Sequence, residues 1–140
     1  MFLGSYEPNL IGKSRLVLPK KIRAEVAGER LVLTLGLEKC LYGFEEKEWE
    51  KIVAPELNRP LFSDAEGREV RRKMCMEAQV VELDSQGRLV MPETMAKYAG
   101  IAAQVVVVGA GDHFEIWGKE SWQRYKNEKL SPTRTAQGSS

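Results

Sequence analysis

An α+β, strand-rich fold made of two tandem half-domains with flanking helices is what this sequence predicts, on three observations. The phrase Arg-Leu-Val-x-Pro occurs twice, at Arg15–Pro19 and at Arg88–Pro92. A shift of 73 positions, the separation of those two arginines, keeps a gapless register well beyond the phrase: Leu10 falls on Leu83, Val32 on Val105, Gly36 on Gly109 and Trp49 on Trp122. Finally, the residues that match are apolar, Gly, Pro and Trp, the types that fix a chain's path, so the register marks an internal duplication.

Each copy has the same order of elements. A first strand ends at Leu10 or Leu83, and a polar turn follows, Gly12-Lys13-Ser14 or Ser85-Gln86-Gly87. The next strand is Arg15–Leu18 or Arg88–Met91, closing a hairpin whose Gly relieves positive-φ strain. Pro19 and Pro92 then fit the first position of a helix. Ile22 and Val26, like Met95 and Ala99, are four apart and give each short helix one apolar face, which Gly28 and Gly100 close. A strand pair follows, "RLVLTLG" with "CLYGF" in the first copy and "QVVVVGA" with "HFEIWG" in the second. Glu45–Ala54 and Lys119–Lys129 read as helices, each carrying a Trp. Ser63-Asp64-Ala65-Glu66 reads as a capping box, opening a basic helix through Arg68, Arg71, Arg72 and Lys73 with Val70 and Met74 on its apolar side. The closing "SPTRTAQGSS" lacks apolar periodicity and reads as disordered. The expected organisation is residues 5–47 and 78–120 as the two half-domains, 48–77 as a helical linker, and 121–140 as a C-terminal helix and tail.

Composition narrows the function. With 140 residues, 43% of them hydrophobic, the chain is long enough to bury a core. Lys and Arg number 21 against 20 Asp and Glu, which excludes a uniformly basic nucleic-acid binder and leaves a local basic patch open. Cys40 and Cys75 form no Cys-x-x-Cys pair, and the start carries no apolar leader, so we expect two inert thiols in a reduced, cytoplasmic protein. The run near "VVVVGA" is too short to cross a bilayer. His113, the only histidine, lacks the partners of a zinc site or a catalytic base and is expected to be structural or exposed. We expect no catalytic residue, metal or cofactor.

The start "MFLGSYEPNL", the two Arg-Leu-Val-x-Pro phrases, "VVVVGAGDHFEIW" and the Trp after it resemble the MraZ family of bacterial transcriptional regulators, over roughly Met1 to Lys129. The family's hallmark is an Asp-x-x-x-Arg signature in each half. Asp84–Arg88 keeps it in full, with Gly87 before the Arg; the first copy keeps Arg15 and Lys13 but has Ile11 for the Asp and Ser14 for the Gly. The resemblance implies two AbrB-like swapped-hairpin half-domains packed as a pseudo-dimer within one chain. It also implies ring-shaped homo-oligomers that bind double-stranded promoter DNA at short tandem repeats ahead of the cell-division and cell-wall gene cluster, usually as repressors, and hence association with the nucleoid.

The residues themselves carry a matching chemistry. An arginine beside a hairpin tip presents the planar fork that fits guanine O6 and N7 together, so Arg15 and Arg88 are the candidate base readers. Asp84 would orient Arg88 across its turn; the alternative is a plain turn-stabilising ion pair. Lys13 and Gln86 sit at the two tips. Between Pro8 and Ala24 lie Lys13, Arg15, Lys20, Lys21 and Arg23 with no acid, so the first copy is the better phosphate binder, and Lys20, Lys21 and Arg23 are its phosphate contacts. Lys20 and Lys21 gain further from a helix start; the alternative is a solvated basic face. Trp49, Trp117, Trp122 and Phe114 are candidates for subunit contacts, with core packing the favoured role for the tryptophans. The linker bases are expected to pair with acids instead of DNA.

Two other functions compete. An AbrB-like antitoxin or protein-interaction module ordinarily carries one DNA-binding copy and a long apolar-studded tail, whereas here a second copy fills that space. A self-cleaving decarboxylase of related barrel shape needs an internal Gly-Ser bond, and Gly4-Ser5 and Gly138-Ser139 both lie at the chain ends, so no enzyme is expected.

Overall fold

The computed structural model describes residues 1–130, and in each of its two sheets one pair of residues equivalent under the 73-position shift lies directly opposite. The strands are β1 (Ser5–Tyr6), β2 (Leu10–Ile11), β3 (Arg15–Val17), β4 (Arg30–Leu35), β5 (Leu41–Phe44), β6 (Gln79–Glu82), β7 (Arg88–Val90), β8 (Val105–Gly109) and β9 (Phe114–Gly118). They form a six-stranded sheet in the order β1-β8-β9-β5-β4-β6 and a three-stranded sheet in the order β2-β3-β7. In the smaller sheet β3 runs antiparallel to β7 with Leu16 opposite Leu89, its own counterpart. In the larger, β5 runs antiparallel to β9 with Tyr42 opposite Glu115, again counterparts. Antiparallel pairing of equivalent residues is what a two-fold axis produces, so the duplication has become an internal pseudo-dimer.

The halves are also exchanged. The β4–β5 hairpin of the first copy takes its outer strand, β6, from the second. The β8–β9 hairpin of the second takes β1 from the first. The expected swapped-hairpin architecture, strand-rich and mixed α+β, is thus the one observed.

The helices are α1 (Lys20–Arg23), α2 (Glu46–Leu57), α3 (Ala65–Met76), α4 (Glu93–Tyr98) and α5 (Lys119–Lys129). Several boundaries differ from the sequence reading. Pro19 and Pro92 occupy the N-cap, one residue before the first helical position, with extended ψ values of 142° and 140°. α1 is a single turn that ends well before Gly28, because Glu25 and Val26 bond back three residues and tighten the chain; Gly28, at φ +87°, instead turns it toward β4. Gly100 does follow the C-cap of α4, at φ +64°. The N-cap of α3 is Asp64, not Ser63: its carboxylate accepts from the Gly67 N–H at 2.8 Å, and Arg59 grips the same carboxylate at 2.7 Å. α2 runs through Pro55 to Leu57, since a proline in the last turn gives up only one ladder bond. The linker bases do not chiefly pair with acids. Arg71 donates to the carbonyls of Glu56, Leu57 and Arg59, capping the end of α2, and Arg68 donates to those of Leu61 and Phe62. The disorder expected of Ser131–Ser140 lies outside the described residues.

One core fills the space between the sheets, built from both copies: Leu16, Leu89, Ile22, Met95, Leu31, Phe114 and Ile116 are all buried in it. Its tightest fit is at the pseudo-axis, where a Cβ on Gly43 would stand 2.3 Å from the ring of Phe114, the residue opposite it. Trp117 is buried and meets Trp122 edge-on and Tyr125 at a tilt to seat α5, while Trp49 packs at a tilt against Phe44 to seat α2, so the tryptophans are packing residues. Cys40 is buried and Cys75 exposed, neither in a disulfide; burial, with help from Glu115 and Glu38, pushes the Cys40 thiol up to about 12. Among the described residues no helix is long and apolar enough to cross a membrane.

Candidate nucleic-acid interface

The three-stranded sheet gives the two tips a common platform. Strand side chains alternate between faces. Leu16 and Leu89 are fully buried on the inner face, so Arg15, Val17, Arg88 and Val90 share the outer one. Val90 lies opposite Arg15 and Val17 opposite Arg88, which makes the two arginines diagonal neighbours across the pseudo-axis. Ile11 continues the row on the other side of Arg15. The outer face therefore alternates cationic and apolar side chains, and Ile11 and Val90 are 46% and 55% exposed on it. The sequence reading missed Val17 and Val90 as apolar neighbours of the arginines; the Arg-x-Val alternation in both copies was the signal for them.

The second tip is a closed hydrogen-bonded unit. Asp84 Oδ1 accepts from the backbone N–H of Gln86 and of Arg88, both at 2.9 Å. Asp84 Oδ2 accepts from Arg88 Nε at 2.7 Å. The Gly87 N–H bonds to the Asp84 carbonyl, and Gly87 takes φ +77°, a left-handed conformation that suits glycine. The Arg88 backbone N–H does most to hold the Asp84 carboxyl down to about 2, against partial desolvation; the Arg88 guanidinium and the Gln86 N–H add to it. Asp84 thus closes the turn with one carboxylate oxygen and holds Arg88 Nε with the other.

The first tip is built otherwise. Its left-handed residue is Gly12, at φ +66°, two places earlier in the turn than Gly87 is in its own. Leu10 and Ile11 pair with Leu16 and Arg15 in an ordinary hairpin, and where the second tip has a carboxylate the first has Ile11. Lys13 is exposed at the crest. Each tip is also tied to the other copy: the Met91 N–H bonds to the Ser14 carbonyl at 2.7 Å, and the Leu18 N–H to the Gly87 carbonyl at 3.0 Å.

The remaining candidates spread outward. Lys20, Lys21 and Arg23 lie on α1 and are exposed. The helix-start contribution expected for the lysines is lost, since a four-residue turn sums almost no macrodipole; their own charges are what they offer. Lys21 lines a shallow groove with Met1, Gly4 and Glu25. Arg23, expected to point at phosphate, instead turns to the second tip and donates to the Ser85 carbonyl at 3.0 Å. Gln86 is exposed at the second crest. His113 is held away from this face, between Asp112 at 2.8 Å and Glu115 at 2.9 Å, with its ring against Tyr42 and Phe44.

Comparison with known proteins agrees with the internal repeat. A family model described as "MraZ protein, putative antitoxin-like" matches residues 1–73 and again 74–138. The chain is 43% identical over 129 residues to a protein of Kocuria rhizophila named transcriptional regulator MraZ, covering 92% of this chain and 89% of that one. It is 39% identical over 128 residues to the protein of that name from Lactobacillus delbrueckii subsp. bulgaricus, covering 91% and 88%. It is 37% identical over 138 residues to the one from Caldicellulosiruptor bescii, covering 98% and 95%.

Proposed function

Because this chain belongs to the MraZ family, whose curated relatives are named transcriptional regulators and not enzymes, we propose that it regulates transcription by binding duplex promoter DNA through the outer face of its three-stranded sheet. The observation that carries this reading is the placement of Arg15 and Arg88 on one exposed face, side by side across the pseudo-axis. A two-stranded ribbon fits the major groove, where an arginine fork matches guanine. Lys13 and Gln86 reach from the two crests, and Lys20 and Lys21 neutralise phosphates along the flank. The targets are tandem repeats ahead of the cell-division and cell-wall gene cluster, the action is repression, and the protein is nucleoid-associated in the cytoplasm.

One subunit offers few phosphate contacts, so alone it would bind weakly and with strong salt dependence. A homo-oligomeric ring meeting several repeats at once raises avidity without new contact types. Supporting a subunit interface, α2, α3, β4 and β5 enclose an apolar groove of about 700 Å³ lined by Leu35, Phe44, Trp49, Met74 and Tyr98, with Leu37 and Met76 exposed at its edge. The same groove favours the second reading, an antitoxin-like module holding a protein partner; a small basic toxin co-purifying with the chain in place of self-association would favour that reading.

Anisotropy titrations on repeat-bearing promoter DNA test the main reading. Arg15→Ala and Arg88→Ala should each cost about 1–3 kcal/mol of binding, roughly 5- to 150-fold, and relax discrimination at one base each. Wild-type affinity in both variants would reject the assignment.

A further inference from the structure

The two tips are not held alike, and Arg23 makes the difference. It belongs to α1 in the first copy, yet its Nη2 donates to the Ser85 carbonyl in the second, 62 residues along the chain. Its side chain also lies over Gly87: a Cβ there would come within 2.6 Å of Arg23 Cδ and 2.9 Å of its Nε and Nη1. Gly87 is required for its φ of +77°, and a side chain there would displace the arginine that covers the turn. Asp84 ties the turn from within and Arg23 covers it from the other copy.

The position related by the pseudo-two-fold axis has no such clamp. Under the repeat register Arg23 corresponds to Ala96, whose methyl cannot span to the first tip, and Gly87 corresponds to Ser14. Where an arginine would lie, the second copy has instead an open groove of about 620 Å³, bordered by Lys13, Ser14, Met91, Ala96 and Lys97. Both tips share the backbone bond to the other copy, but only the second has an arginine side chain over it.

We propose that Arg23 is a positioning residue for base reading: it fixes the Ser85–Gly87 turn from which Arg88 projects, so that the second tip is a pre-set reader while the first adapts to the groove. This rests on the DNA-binding reading above and adds a role distinct from phosphate neutralisation. A phosphate contact carries its own share of the salt dependence of binding. A brace carries none; it acts only through the arginine it orients.

The experiment uses the full chain and two readouts. In anisotropy titrations across a salt series, Arg23→Ala should weaken binding about two- to tenfold, the scale of one lost hydrogen bond, and reduce discrimination at the base read by Arg88. The salt slope should stay at the wild-type value, and Arg23→Ala should add nothing in an Arg88→Ala background. Without DNA, amide exchange at Gln86 and Arg88 should quicken in Arg23→Ala, with core amides unchanged. A slope reduced by about one, together with the same loss in the Arg88→Ala background, would make Arg23 a phosphate contact and overturn the proposal. Unchanged exchange at Gln86 and Arg88 would overturn it whether or not DNA binds. Wild-type protein that ignores promoter DNA would instead overturn the DNA-binding reading and remove the role with it.

Discussion

Gly12 and Gly87 are the residues on which the two tips diverge. Both have positive φ, but a Cβ on Gly12 would meet nothing within 4 Å, whereas one on Gly87 would strike Arg23. In urea melts, Gly12→Ala should cost about 1–2 kcal/mol, the strain of the left-handed conformation alone. Gly87→Ala should cost more, because the arginine must also move; equal costs would mean that Arg23 does not press on the turn. Asp84 answers to pH. Its carboxyl is lowered to about 2 in the folded chain from an ordinary 3.8, so the order it gives the tip is complete above about pH 4 and is lost as pH falls toward 2. At neutral pH Asp84→Asn, which keeps one acceptor oxygen but no charge, should weaken promoter binding about two- to tenfold, measured by anisotropy. The repeated phrase marked Arg15 and Arg88 in the sequence, and the Asp-x-x-x-Arg signature, kept only in the second copy, marked the Asp84–Arg88 contact that the structure holds. The contact of Arg23 with the second tip was not legible, since it joins residues 62 apart and no local pattern records a side chain bending toward the other copy.

Among the elements, the strands and α5 follow from the sequence, and the boundaries of α1, α2 and α3 do not. Periodicity gives an element's interior; its ends are set by whichever group satisfies the last N–H or carbonyl. α3 starts at Asp64 because Arg59 and the Gly67 N–H converge on that carboxylate. α2 passes Pro55 and reaches Leu57, where Arg71, reaching back from α3, meets the orphaned carbonyls. Arg71→Met should therefore destabilise the chain by about 1–3 kcal/mol by leaving those carbonyls unpaired, measured by urea denaturation. Arg71→Lys should recover much of this, since a single nitrogen, Nη2, meets all three carbonyls and an ammonium placed there has three N–H groups to donate. The basic stripe that suggested nucleic acid or acidic partners is in this respect a helix cap.

At the scale of the whole molecule, the duplication was plain in the register and implied that the copies would pack together. The exchange of outer strands was not readable from periodicity, because β1 and β6 look the same whichever hairpin they join; it came from the family resemblance, and the sheet order bears it out. His113 sits at the seam, a second-copy residue packed on Tyr42 and Phe44 of the first. Hydrogen bonding to Glu115 first, and also to Asp112, raises its pKa above the ordinary 6.5 against the desolvation that lowers it. Its contribution to stability is thus full below about pH 6.5 and is lost as pH rises through the raised value. A series of urea melts across that window should show wild-type stability declining, and His113→Gln should flatten the decline; a wild-type curve already flat would show that the pairing of the imidazolium with Glu115 and Asp112 adds nothing to stability.

The exchanged strands also bear on how the chain is made. Ser5 leaves the ribosome long before its ladder partner, Val108. For most of synthesis β1 has no strand to pair with, and the β4–β5 hairpin waits with an open edge for β6. Unpaired edges of this kind are where nascent chains join one another. A ribosome stalled midway would leave the first copy with a donor strand and an acceptor edge unmatched, free to exchange with a neighbour on the same message. Timing of translation, as much as sequence, then decides whether the two halves of one chain find each other.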